Sequence, residues 1–150
     1  MPFHKHILNI LFQFISLFGT PIFYMPAIIY LFKIDSNFAA KLIFIIIFNE
    51  IICGAIKYIY PKERPVPMQN KNFIQKYYAG SFPSIHTARI SAVLISLTPL
   101  YKNKIFILMA VLMVIGVGYS RIYLKKHYFI DVIAGFLIGA FMGLLGLMRG

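Results

Sequence analysis

Three short polar clusters interrupt an otherwise apolar chain: Lys57-x6-Arg64-Pro65, Pro83-Ser84-Ile85-His86 and Ser120-Arg121-x5-His127-x3-Asp131. Together they offer three cations, two imidazoles, two hydroxyls and a carboxylate. Those are nearly all the groups needed to hold a phosphate and attack it with a histidine. Charged and polar side chains at membrane helices are expensive and call for a reason, and a phosphate site uses nearly all of these at once.

His127 and Asp131 are four residues apart, so on a helix they share a face. A carboxylate placed there can accept the imidazole Nδ1–H, fix the tautomer and leave Nε2 as a nucleophile. A plain helix-end contact has the same spacing. Ser84 reads as an N-cap, and a helix N-terminus is a natural anion site. His86 falls in the first turn, where an imidazolium can protonate a leaving oxygen. Lys57, Arg64 and Arg121 lie at expected helix ends, where arginine forks onto phosphate oxygens. Basic residues at helix ends also anchor to headgroups, and this is the reading given to Lys71, Lys76, Lys102, Lys104, Lys125, Lys126 and Arg149.

The elements that position these clusters follow from composition. Of 150 residues, 60% are hydrophobic and 13% charged, and the mean hydropathy is +0.79. Soluble domains are closer to half apolar, so a multi-pass membrane protein is expected, all-α, as a single domain over 1–150. The net charge of +11 comes from 15 Lys+Arg against 4 Asp+Glu. Such a balance suits anionic headgroups or a phosphorylated substrate, and the membrane setting argues against nucleic acid. The one cysteine, Cys53, has no partner for an intramolecular disulfide and reads as a small core residue. No cleavage site follows the basic, apolar start, so residues 1–18 are expected to be retained.

A span takes about 17–25 mainly apolar residues. About five are expected, with an N-terminal entry segment. Residues 4–18 read as an amphipathic or re-entrant entry helix and 20–33 as a span, or the two as one kinked helix over 7–33. Further spans are expected at 38–60, 84–99, 104–122 and 128–148. Residues 61–83 form an interfacial loop with room for a short helix. Ala134, Gly135, Gly139, Ala140 and Gly143 suit close helix packing. On this topology Lys57 and Arg64 lie at one exit, Ser84 and His86 at an entry, Ser120 and Arg121 at an exit, and His127 and Asp131 at an entry. All four points then fall on one membrane face.

In that order and spacing the clusters resemble the three signature motifs of the type-2 phosphatidic acid phosphatase superfamily, which includes membrane lipid phosphatases and vanadium haloperoxidases. The resemblance implies His127 as nucleophile forming a phosphohistidine and Asp131 as its orienting partner. It implies His86 as the acid for the leaving group, with Lys57, Arg64, Ser84, Ile85, Ser120 and Arg121 around the phosphate. It implies no metal and no cofactor. Ile85 stands where the family usually has Gly, which matters only if that position needs a positive φ. The expected activity is hydrolysis of a lipid phosphate or diphosphate, of polyprenyl diphosphate or phosphatidylglycerol phosphate type. Phosphotransfer to a hydroxyl, or a silent scaffold or transporter on the same fold, are the other readings. Charge does not set the orientation: six basic residues outside the site fall on the active face and five on the other. The resemblance favours a site facing away from the cytoplasm.

One expectation goes past the motifs. Glu50 precedes Lys57 by seven residues and Arg89 follows His86 by three, so both should point into the bundle beneath the phosphate site. Buried charges of opposite sign are expected to pair there.

Overall fold

The computed structural model describes residues 3–68, 72, 75, 77 and 79–147. The anchoring readings of Lys71, Lys76 and Arg149 lie outside the described residues. The described architecture is helical: α1 (Phe3–Leu17), α2 (Pro21–Ile34), α3 (Ser36–Ile59), α4 (Ile85–Leu97), α5 (Lys104–Tyr123) and α6 (Phe129–Leu147). Four stretches are long and apolar enough to cross a membrane: His4–Ile34, Ser36–Ile59, Lys104–Tyr123 and Phe129–Leu147. With the shorter apolar helix α4 between them, this is a multi-pass membrane protein.

The first stretch breaks where Pro21 demands it. Proline has no N–H for the carbonyl four residues back, and its ring crowds that carbonyl. The carbonyl is that of Leu17, and Thr20 takes it over with both its N–H, at 2.9 Å, and its hydroxyl, at 2.6 Å. The elbow also frees the carbonyls of Phe18 and Gly19. In hydrocarbon such groups must be satisfied by protein, and they are: the Tyr24 hydroxyl donates to Phe18 O and the Arg89 guanidinium to Gly19 O. So α1 and α2 are separate helices within one apolar stretch, combining the two arrangements the sequence allowed. α1 packs on α5 and α2 on α3.

α4 has 13 residues, about 20 Å at 1.5 Å per residue, short of a hydrocarbon core of about 30 Å. Its surroundings explain why this is tolerated. It packs against α3, α5 and α6, and Ala88, Ile90, Ala92 and Ser91 are fully buried. Ser81, Pro83 and Ser84, in the segment leading into it, are fully buried too. Irregular backbone at membrane depth survives only when enclosed by protein.

Small residues of α6 allow the closest contact. A Cβ on Gly135 would strike the Ser84 carbonyl, and one on Gly139 the Ala88 carbonyl. One on Gly143 would come within 2.9 Å of the Ala92 carbonyl. Apolar side chains seal the rest: Tyr24, Ile28, Leu42 and Val93 between α2, α3 and α4, and Ile45, Ala92 and Met142 between α3, α4 and α6.

Candidate active site

The bundle brings the three clusters together at one end. Asp35 caps α3, accepting from Phe38 N at 2.9 Å, and α3 delivers Lys57 in its last turn. Tyr60 ends that helix just before Pro61. The chain then runs through Lys62, Glu63 and Arg64 past the segment that enters α4. Ser81 is the junction. Its N–H donates to Lys62 O at 2.8 Å and its hydroxyl to Glu63 O at 2.9 Å. Lys57 Nζ donates to Gly80 O. Ser84 N–H donates to Asp131 O at 2.9 Å, which ties the start of α4 to the start of α6.

The His127 side chain is 98% buried, with 2% exposure. Its Nδ1 lies 2.6 Å from the carbonyl oxygen of Ser81. A carbonyl only accepts, so Nδ1 carries the proton and Nε2 keeps its lone pair. The expected orienting partner is thus replaced: Asp131 Oδ2 stands 3.8 Å from Nδ1, beyond hydrogen-bond length. The buried Asp131 carboxylate accepts instead from Lys62 Nζ at 2.7 Å and from Tyr128 N–H at 2.8 Å. The tautomer is the one expected, set by a backbone carbonyl rather than by the carboxylate.

Burial pushes the His127 imidazolium down from 6.5 to about 4. Asp131 opposes this, while Arg121, Lys57 and Arg64 reinforce it. Arg64 is itself lowered by burial, against the pull of Asp131. The three cations are therefore close enough to act on one imidazole.

Arg121 is buried, and its Nη1 donates to Ser16 Oγ of α1 at 2.6 Å. Nε of Arg121 and Nε of Arg64 are buried without a hydrogen-bond partner among the described residues. His86 is half-buried, with the backbone of Gly19 against it.

The serine hydroxyls bond locally. Ser84 occupies the N-cap position of α4, but its hydroxyl makes no capping bond and pairs with Thr87 Oγ1 at 3.0 Å. Ser120 donates to Val117 O at 2.7 Å, so its proton is spent within α5. Ile85 is the first residue of α4. Among the described non-glycine residues only Lys125 has a positive φ, so isoleucine sits there without backbone strain.

Beneath these groups Arg89 and Glu50 form the expected ion pair. Arg89 Nε donates to Glu50 Oε1 at 2.7 Å, and Nη2 donates to the same oxygen. The Tyr77 hydroxyl donates to Glu50 Oε2 at 2.8 Å. Ser81, Lys62, Tyr77 and Ser16 were not singled out from sequence. Lys62 carried the only signal, as a cation between Lys57 and Arg64.

An apolar groove of about 860 Å³ runs between α4, α5 and α6. Thr87, Ile122 and Val132 line it, and each adjoins in sequence His86, Arg121 or Asp131.

Known proteins share the family and the fold of this chain. Residues 38–148 match the model of the PAP2 superfamily. The undecaprenyl-diphosphatase of Sulfolobus acidocaldarius is 28% identical over 142 residues, covering 92% of this chain and 68% of that protein. Two solved structures share the fold at a TM-score of 0.78, each covering 95% of this chain. One is the transmembrane PAP2 type phosphatidylglycerolphosphate phosphatase of Bacillus subtilis, at 22% identity over 76% of that chain. The other is LpxE of Aquifex aeolicus, at 23% identity over 86% of that chain. With the family match covering all three clusters and the fold agreeing, the chain belongs to the PAP2 superfamily, the type-2 phosphatidic acid phosphatases.

Proposed function

We propose that the protein is a metal-independent lipid phosphatase that works through a phosphohistidine. The observation that carries this reading is the convergence of Lys57, Arg64 and Arg121 on a buried, neutral His127 whose Nδ1 proton is committed to Ser81 O. Neutral Nε2 attacks phosphorus, the N–P bond forms and the bond to the lipid oxygen breaks. His86 gives that oxygen a proton. Water then attacks the phosphohistidine, His86 takes a proton from it, and inorganic phosphate leaves. The three cations spread the charge of the transferring group, which is the largest kind of contribution in such sites. Asp131 and Lys62 support the His127 end.

The groove beside these residues is almost wholly apolar and suits a hydrocarbon tail. Polyprenyl diphosphates and phosphatidylglycerol phosphate are the substrate types to test first, in line with the names of two of the similar proteins. The family resemblance favours an active site on the face away from the cytoplasm.

The test is phosphate release from a panel of such lipids in detergent with EDTA present, for wild type and His127→Ala. The expected result is metal-independent release by wild type, none by the variant, and label trapped on His127 after acid quench. Release that requires an added divalent ion, or that survives His127→Ala, overturns the mechanism.

A further inference from the structure

The elbow between α1 and α2 lies outside the family match, which begins at residue 38, and outside all three clusters. Yet it touches the site at three points. Ser16 Oγ accepts from Arg121 Nη1 at 2.6 Å, and both residues are buried. The Gly19 carbonyl accepts from Arg89. Gly19 lies against His86, so closely that an added Cβ would come within 2.7 Å of His86 Cβ.

These contacts exist because Pro21 breaks the helix where it does. An unbroken helix would bond the Gly19 carbonyl to its own backbone, and Arg89 would lose that acceptor. Ser16 is also the one buried polar residue among the described side chains of α1, on a helix that meets α5 through apolar and aromatic contacts as well. The Phe12 ring lies tilted against Tyr119 and Tyr123 at centroid distances of 5.4 and 4.3 Å, and Ile15 lies over Gly116. A lone hydroxyl in such a seam is costly unless it bonds, and Arg121 is its partner.

We propose that the elbow is a positioning element of the catalytic site, in which Ser16 fixes the Arg121 guanidinium so that its remaining donors meet the transferring phosphoryl group. The proposal rests on the phosphate-site reading given above. Ser16 is a positioning residue: it acts through Arg121. Without it the guanidinium turns more freely, and the loss falls on transition-state binding more than on ground-state binding.

Vanadate inhibition tests this, because five-coordinate vanadate resembles the phosphoryl group in transfer. In Ser16→Ala the vanadate inhibition constant should rise about tenfold, the size expected for one hydrogen bond to a charged group. KM for the lipid should change by less. Ser16→Thr, which keeps the hydroxyl, should restore inhibition. In an Arg121→Lys background, Ser16→Ala should add nothing further. Ser16→Cys fills nearly the same volume with a poor acceptor and gives the same reading if Ser16→Ala does not accumulate. An unchanged inhibition constant in Ser16→Ala or Ser16→Cys, or an equal further loss in the Arg121→Lys background, overturns the elbow proposal. Wild type with His127-dependent activity then leaves the phosphatase reading standing. Activity that survives His127→Ala removes that reading, and the elbow proposal falls with it.

Discussion

At the scale of single residues, a proton position and a charge decide what His127 can do. Ser81 O holds the proton on Nδ1, and burial with three cations keeps the ring neutral down to about 4. The acidic limb of kcat/KM should therefore lie well below the ordinary histidine value of 6.5. Asp131→Asn removes the charge that opposes the depression and should move that limb lower still. A pH profile of phosphoenzyme formation checks both, and a His127-dependent limb at 6.5 contradicts the assignment. The same shift acts on stability. The folded protein resists protonating His127 while the unfolded chain does not. So the unfolded state binds the proton first as pH falls. Stability is unaffected above 6.5 and declines between 6.5 and about 4, by roughly 3 kcal/mol in all. The types and spacing of His86, His127, Asp131 and the cations were legible because charge in an apolar chain stands out. Ser81 was not, since its contribution at His127 is a carbonyl that every residue carries. Lys62 was visible only as a cation. Its bond to Asp131, 69 residues away, is made by the fold.

At the scale of elements, the helix ends came close to their expected places. Apolar runs, Pro21, Pro61 and the Asp35 cap mark them directly. Expected spans at 104–122 and 128–148 became Lys104–Tyr123 and Phe129–Leu147. The depth of burial of α4 was less legible, because its sequence is no more apolar than its neighbours and its enclosure depends on partners. The glycine stripe of α6 supplies that enclosure. Gly139→Ala puts a methyl against the backbone of Ala88, which cannot give way as a side chain would. Its cost should be about 1–3 kcal/mol, read as a lower Tm in detergent. It should also lower activity, since α4 carries His86. Gly116→Ala, which among the described residues meets only Ile15 at 3.6 Å, should be nearly silent. The Glu50–Arg89 pair links α3 to α4 in the same region. Removing either partner leaves a charge with too few contacts. Glu50→Gln and Arg89→Gln should each destabilise, and the double variant should recover part of the loss. Strictly additive losses in that cycle would mean that the pair contributes nothing as a pair.

At the scale of the whole molecule, the polar end and the apolar groove make a division of labour. On the proposed function, the cations and imidazoles meet the phosphate at one end of the bundle, and the groove between α4, α5 and α6 offers the adjoining hydrocarbon path. The sequence suggested a simple lipid pocket between helices but not which residues line it. The groove-lining residues Val114, Ile107 and Phe136 look like ordinary span residues until three helices leave space between them. If the groove holds the substrate tail, filling it should separate chain recognition from chemistry. Val114 lines it, on α5 more than one helical turn from Arg121. Val114→Trp should therefore raise KM for a long-chain lipid phosphate about tenfold, by removing apolar contact worth about 25 cal/mol per Å². For a short, water-soluble phosphate ester, which reaches only the polar end, KM and kcat should stay within about twofold of wild type, because binding lost remotely leaves the transition-state contacts in place. Equal losses on both substrates would assign the effect to a distorted site, and unchanged kinetics on both would move the lipid tail to another face of the bundle.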